Sequence, residues 1–421
     1  MSRIELTRAC RPKTFECFRA SFDHGRCFRR KPMWLSNFTL VLPSEVVEKG
    51  AVRVEDGVIT EIRSEPVEQP TFDGGGRLLM PGFVDLHCDM IEREIAPRPN
   101  AMMPIDFGIH ELDKKLAAAG VTTAFAALSF ATESVYGHVR SLETTSAVIR
   151  GIGSLRDELL IDHRVHARYE ITNLGAASTL ERLLEEGSVD MVSLTDHTPG
   201  QGQYNDIESY IRSMSERRSM SREAAEEVVA TRIAQRQDPE IERKLHDVVA
   251  LSLKHKLSLA SHDDDSAEKV AAMHDLGVTI SEFPVTGPAA EEACRRGLWT
   301  LMGAPNALRG QSMSGNLSAL DAARAGLLGV IAADYHPAAF VPAIFKIADV
   351  VADGLPAAVA TATSNAARSA GLKDRGEIAV GQLADLVAVE PGSVHRIRAT
   401  FRGGRVVYSD GTLHPLMAMA A

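Results

Sequence analysis

Short runs in which apolar and polar positions alternate open the readable part of the chain and return at its end. Between residues 33 and 80, "NFTLVLP", "GAVRVEDGVITEI" and "GRLLMPG" show the two-residue period of half-buried strands, with Asp56-Gly57 as a hairpin turn. Beyond residue 375, "ADLVAVE", "VHRIRATFRGG" and "RVVYSDGTL" have the same texture. Two strand-rich ends around a long middle predict one small β domain built by both ends.

In the middle, nearly continuous apolar runs alternate with helix-length amphipathic stretches. The runs are "GFVDLHCD" at 82, "VTTAFAAL" at 121, "VHARYEIT" at 165, "DMVSLTDH" at 190, "LSLASHDD" at 257, "GVTISEFP" at 277, "LWTLMGAP" at 298 and "GVIAADYHP" at 329. Strand runs alternating with helices are the pattern of parallel α/β folds, and eight repeats predict a closed (β/α)8 TIM barrel. The fold class is therefore α/β, a barrel over 81–375 with a small β-sandwich domain formed by 33–80 and 376–421. The stretch 206–256 reads as a charged helical insertion after the fourth strand, placed to act as a lid or as part of a subunit interface. Residues 1–32, with Cys10, Cys17, Cys27 and no clear period, read as an atypical extension outside the fold, and Met33 offers a second start.

Composition narrows the function classes. The chain has 421 residues, 45% of them hydrophobic and 24% charged, a globular balance without any run of membrane-span length. A net charge of -10 argues against broad nucleic-acid binding, which needs a basic footprint. It leaves a phosphorylated small molecule open, because ions and local arginines can make one pocket positive. Five cysteines in a large chain with no secretory signal suggest reduced thiols and a cytoplasmic setting.

The chemistry gathers at strand ends, where barrel enzymes keep their active sites. His87 and Asp89 follow the first strand, Glu170 ends the third, His197 follows the fourth, His262 follows the fifth and Asp334 ends the eighth. Burying such groups costs several kcal/mol unless they are paired, hydrogen-bonded or bound to a metal. Singly, each has an ordinary reading as a turn former, helix cap or satisfied polar group. Together, three imidazoles and three carboxylates at one barrel mouth form a mixed nitrogen and oxygen set. That set suits one or two divalent ions, zinc first, with manganese or iron as alternatives. Glu282, on the sixth strand, is a further candidate ligand. Cys88, between two candidates on a strand, should point away from the barrel axis and pack. In "HDDD" at 262 the histidine reads as the ligand and the aspartates as caps of the helix "SAEKVAAMHDLG".

"PGFVDLHCD", the later histidines, "AADY" and the tail "SNAARSAGLKDRGEIAVGQLADLVAVE" resemble the amidohydrolase superfamily, over residues 33 to 411. That resemblance implies a barrel with a split β-sandwich. A narrower likeness joins "PRPNAMMPIDFGIHELDKKLAAAGVTTAF", "SLTDHTPGQGQY", "ASHDDDSAEKV", "LGVTISEFP", "MGAPNALRGQSMSGN" and "ADYHPAAF". Together, in this order, they resemble the diphosphatases of the carbon-phosphorus lyase pathway. The implied reaction is hydrolysis of α-D-ribose 1-methylphosphonate 5-triphosphate to the 5-phosphate and pyrophosphate.

In that reading, divalent ions lower the pKa of water toward neutrality, and Asp334 orients the water and takes its proton. Arg98, Gln203, Asn306, Arg309 and Ser312 are the candidate substrate contacts. The partner is then a small phosphorylated ribosyl phosphonate, with neither nucleic acid nor membrane, and a homodimer is the expected assembly. Four positions depart from the patterns. His87-Cys88-Asp89 stands where many amidohydrolases have two histidines, and the usual bridging lysine has no evident counterpart, Glu170 being the candidate replacement, either as the bridge or behind the ligands. Met313 stands where the narrower family leads one to expect histidine, and Ala333 where serine is common. Two rivals stay open: a deaminase or cyclic-amide hydrolase cleaving carbon-nitrogen bonds, and a non-catalytic barrel subunit.

Overall fold

A computed structural model describes residues 32–98, 101–131, 139–204, 206–218, 220–312 and 315–416. The extension up to Lys31, with its three cysteines, and Met313 lie outside the described residues. The N-terminal strands are β1 (Met33–Val41), β2 (Val46–Glu55), β3 (Val58–Arg63), β4 (Phe72–Asp73) and β5 (Leu78–Pro81). Asp56 and Gly57 join β2 to β3 with φ of 50° and 86°, the two positive values a tight hairpin turn requires.

The barrel follows as eight parallel strands. They are β6 (Phe83–Cys88), β7 (Val121–Ser129), β8 (Asp162–Glu170), β9 (Met191–Thr195), β10 (Ser258–His262), β11 (Ile280–Glu282), β12 (Trp299–Gly303) and β13 (Val330–Ala332). All eight coincide with the apolar runs of the sequence. Their lower interior is filled by Val84, Leu86, Met191, Ala260, Ile280, Leu301 and Val330, bulky and small side chains stacked as in a packed barrel. The ring closes where β13 meets β6. The Asp89 amide donates to the Asp334 carbonyl at 2.9 Å and the Asp334 amide to the His87 carbonyl at 2.8 Å.

The chain then returns to the first sheet with β14 (Leu386–Glu390), β15 (Arg396–Arg402) and β16 (Arg405–Ser409). β14 pairs antiparallel with β5, so both ends share one sheet, in the order β16-β15-β14-β5-β1-β2-β3, with β4 beside β1. The sheet folds over a core of its own, in which Leu35, Phe38 and Ile59 meet Leu386, Ala399 and Phe401. Phe72 stands edge-on to Phe401 at 5.5 Å, a favourable aromatic geometry.

The helices around the barrel start on side chains that accept an amide N–H: Ser141, Asn173, Asp238, Ser266 and Thr286. Ser266, rather than the aspartates of "HDDD", caps the helix Ala267–Asp275. The stretch expected as one insertion divides. Ile207–Arg218 and Arg222–Gln235 form a separate pair around Ile211, Met214, Ala225 and Val229. Pro239–Lys254 is an ordinary barrel helix, because its stripe Ile241, Leu245, Val248 and Val249 is buried in the main core.

Candidate metal and phosphate site

The C-terminal ends of the barrel strands meet at one mouth. β6 carries a register irregularity between Asp85 and Cys88, which re-aims side chains as bulges do. Leu86 stays in the barrel interior while the next residue, His87, also turns into the mouth. Cys88 is buried in the layer between barrel and helices, as packing. The bulge is held by Asp85, whose Oδ1 accepts the amides of His87 at 3.1 Å and of Ala333 at 2.9 Å. Burial pushes the Asp85 carboxyl up to about 6. Three residues just past strand ends, Asp263, Phe283 and Asp334, adopt positive φ between 51° and 54°. Non-glycine residues there are strained, and such strain clusters at working sites.

A cavity of about 290 Å³ opens at this end, lined by His87, Asp89, Arg168, Gln203, His262, Asp263, Asn306, Arg309, Gln311, Ser312, Asn316, Asp334 and Tyr335, among others. His87 lies at its floor. Its Nδ1 is 3.0 Å from Glu282 Oε1 and its Nε2 3.4 Å from Asp89 Oδ1. Burial disfavours the imidazolium, yet Glu282 and Asp89 hold His87 up at about 10. Glu282 is fully buried and stays ionised well below the usual carboxylate range despite desolvation, through the facing histidines 166 and 87. Its second oxygen accepts the Ser193 hydroxyl at 2.6 Å.

His197 stands across the mouth. Its Nδ1 is 2.6 Å from Glu170 Oε2, and Glu170 Oε1 also accepts the His197 amide at 3.2 Å. The other ring nitrogen, Nε2, faces Asp263 Oδ2 at 3.8 Å. His262 Nδ1 lies 3.0 Å from that same Asp263 oxygen. Two groups have donor atoms within 4.8 Å of one another: His87, His262 and Glu282, and His197, His262 and Asp263. His262 belongs to both.

The donor set fits a divalent ion on the structure's own terms. Among the described residues, His262 Nδ1 and Asp263 Oδ2 are buried and face each other at 3.0 Å outside hydrogen-bond geometry, with no hydrogen bond to any other group, whereas buried polar atoms are almost always hydrogen-bonded. Imidazole and carboxylate together are the ligands that zinc, manganese and iron accept. Asp334, at the eighth strand, is pushed up to about 6 by burial and by Asp89, against the pull of His87.

The remaining expected residues fall in different places. Gln203 and Ser312 line the cavity, and Arg309 stands exposed at its rim. Asn306 also lines it, but its amide is committed to the next loop, donating to the Leu317 carbonyl and accepting the Ala319 amide. Arg98 is exposed and does not line the cavity. Sequence reasoning missed Arg168, Asp263 and Ser193 as parts of the site. Arg168 and Ser193 lie inside strands, and the alternation that aims them inward could have found them. The loop "TPGQGQY" at 198–204 is tied down by Asp265, whose carboxylate accepts the Gly202 amide at 2.5 Å.

Over 392 residues the chain is 34% identical to alpha-D-ribose 1-methylphosphonate 5-triphosphate diphosphatase of Escherichia coli (strain K12), spanning 89% of this chain and all of that protein. The chain belongs to the α-D-ribose 1-methylphosphonate 5-triphosphate diphosphatase family. No family model matches it. Among solved structures, N-acetyl-D-glucosamine-6-phosphate deacetylase from Mycobacterium smegmatis, as its D267A mutant, superposes with a TM-score of 0.62 at 15% identity, covering 90% of this chain and 100% of that one. Dihydropyrimidinase from Brevibacillus agri NCHU1002 gives 0.54 at 14% identity, covering 91% and 97%. At such identities the likeness places this diphosphatase-family chain on the amidohydrolase fold and says nothing of its substrate.

Proposed function

We propose that this protein is a metal-dependent hydrolase that cleaves α-D-ribose 1-methylphosphonate 5-triphosphate to the 5-phosphate and pyrophosphate. The observation that carries the reading is the joint presence, at one barrel mouth, of an imidazole–carboxylate cluster and a polar wall. That wall is formed by Gln203, Arg309, Gln311, Ser312 and Asn316, in a chain of this family. His87, Asp89, His197, His262, Asp263 and Asp334 would hold one or two ions, zinc first, with manganese or iron suiting the same donors. Glu282 and Glu170 occupy the Nδ1 side of His87 and His197. Such carboxylates orient a ligating ring and raise its basicity, so Glu170 is assigned here to His197 rather than to a bridge. A bound divalent ion supplies a lowered water pKa and positive charge against the triphosphate.

The chain's own residues do the rest. Asp334, near 6, is matched to accept a proton at neutral pH. Water adds to the α-phosphorus, its proton passes to the Asp334 carboxylate, and the bond from the α-phosphorus to the oxygen shared with the β-phosphorus breaks. Pyrophosphate departs with the bonding pair. Arg309 and the amides of Gln203, Gln311 and Asn316 are placed to donate to its oxygens. The cavity lining sets the carboxylates of Asp89, Asp263 and Asp334 against Arg168, Arg309 and the imidazolium of His87, a near balance that bound divalent ions would turn positive toward a polyanion. Cleavage of carbon-nitrogen bonds has only the shared fold in its favour.

The deciding experiment follows pyrophosphate release from the methylphosphonate ribosyl triphosphate and from ordinary nucleoside triphosphates, with bound metal measured on the same protein. Metal-dependent release that is fastest from the ribosyl phosphonate supports the reading. Full metal occupancy without pyrophosphate from any triphosphate defeats it.

A further inference from the structure

Arg168 is the more deeply buried of the two arginines lining the cavity, and neither the family motifs nor the reaction has yet used it. It lies on β8, two residues before Glu170, with only 12% of its side chain exposed. Its Nη1 donates to Asp89 Oδ1 at 3.4 Å and its Nη2 to His262 Nε2 at 3.2 Å. Nε is buried with no partner among the described residues. A guanidinium carries five N–H donors in a rigid fork, so the contacts here, both long, engage two of them. A buried guanidinium left in that state is costly. What satisfies it must be an acceptor reaching it through the cavity that it lines.

Both present acceptors are groups assigned above to an ion. An ion that draws on Asp89 and His262 takes these acceptors away, leaving the fork beside it and facing the same space. The acceptor best matched to a planar fork is a carboxylate or phosphate. The cavity's carboxylates Asp89, Asp263 and Asp334 are those the ion uses, which leaves the ligand to supply the oxygens.

We infer that Arg168 is a substrate-contacting residue whose guanidinium grips phosphoryl oxygens of the bound triphosphate beside the scissile bond, Arg309 holding the outer phosphates at the rim. This deepens the function proposed above and rests on it for the identity of the anion. The competing role is a plain counter-charge to the acidic cluster, in which Arg168 would affect metal retention and folding but not anion affinity.

The test uses the full chain loaded with metal, as wild type, Arg168→Lys and Arg168→Met. Inorganic pyrophosphate is titrated calorimetrically into each, and bound metal is measured by elemental analysis. Loss of a forked, charge-assisted contact predicts pyrophosphate binding weaker by roughly 10- to 100-fold in Arg168→Met. Arg168→Lys should recover it only in part, since it keeps the charge and loses the fork, and metal content should hold in both. If Arg168→Met does not fold or loses metal, the lysine variant decides alone. Pyrophosphate affinity within threefold of wild type in a metal-filled variant overturns the inference, as does a wild type that binds no pyrophosphate. A wild type that binds pyrophosphate through Arg168 but releases none from any triphosphate keeps this contact and removes the diphosphatase reading. One that releases it while both variants bind normally does the reverse.

Discussion

Asp334 combines three properties at one residue: a strained backbone with φ of 54°, a place in the seam where β13 meets β6, and a carboxyl pushed up to about 6. The amide in Asp334→Asn keeps the shape and cannot take a proton, so turnover should fall by about 10²–10⁴. Pyrophosphate release by the metal-reconstituted variant, set against its circular dichroism, checks this; undiminished turnover would remove Asp334 from proton transfer. Glu170 makes a different kind of contribution, through His197. With Glu170→Gln, Nδ1 faces a neutral amide, and metal affinity should drop about 10- to 100-fold, the usual consequence of losing such a partner. Competition against a calibrated chelator measures it, and a variant with unchanged affinity would mean that His197 is oriented by other contacts.

At the scale of elements, the end of the barrel away from the site is a structural joint. Arg375, on the segment returning to the sheet, donates to Thr123 Oγ1 at 2.8 Å near the start of β7 and to Asp162 Oδ2 at 2.7 Å at the start of β8. Breaking a buried pair by removing one partner costs about 2–4 kcal/mol. Arg375→Met should lose that much in urea unfolding while its metal content stays the same. The pH dependence has a definite sign. Burial opposes the Asp162 carboxylate, but Arg164 and Arg375 hold its pKa below the ordinary value. Its contribution is therefore complete above the unfolded value of about 4 and is lost as pH falls through the lower, folded one. The stability gap between wild type and Asp162→Asn should close in acid; a constant gap would assign the cost to packing.

The strands themselves were legible because each is an apolar run bounded by turn residues. Their ends were legible because polar groups there interrupt the pattern. Pairings such as His87 with Glu282, 195 residues apart, depend on the angular placement of strands around the ring. A linear pattern does not encode that. The split of the 206–256 stretch was hidden for another reason: charge outweighs the single apolar stripe of Pro239–Lys254, and only packing against the barrel shows which helix belongs to it.

Taken whole, the molecule gathers its candidate ligands from β6 and β10 and from the residues just after β6, β9, β10 and β13. An ion held there cross-links up to half of the barrel strands, and it binds the folded chain in preference to the unfolded one. At 100 to 1,000 times its dissociation constant, such a ligand adds about 2.7–4.1 kcal/mol. The unfolding entropy scales with length, at about 2.1 cal/mol/K per residue, so in a chain this long that energy moves the midpoint only modestly. Dialysis against chelator should lower the melting temperature by roughly 3–5 °C. Far-ultraviolet circular dichroism at 25 °C should not change, because the apolar interior and the second core under the shared sheet involve none of these ligands. Calorimetry of the stripped and refilled protein checks both halves of this. A fall of tens of degrees, or loss of helical signal on stripping, would mean that the ion organises the barrel itself rather than occupying a mouth that the packed strands have already built.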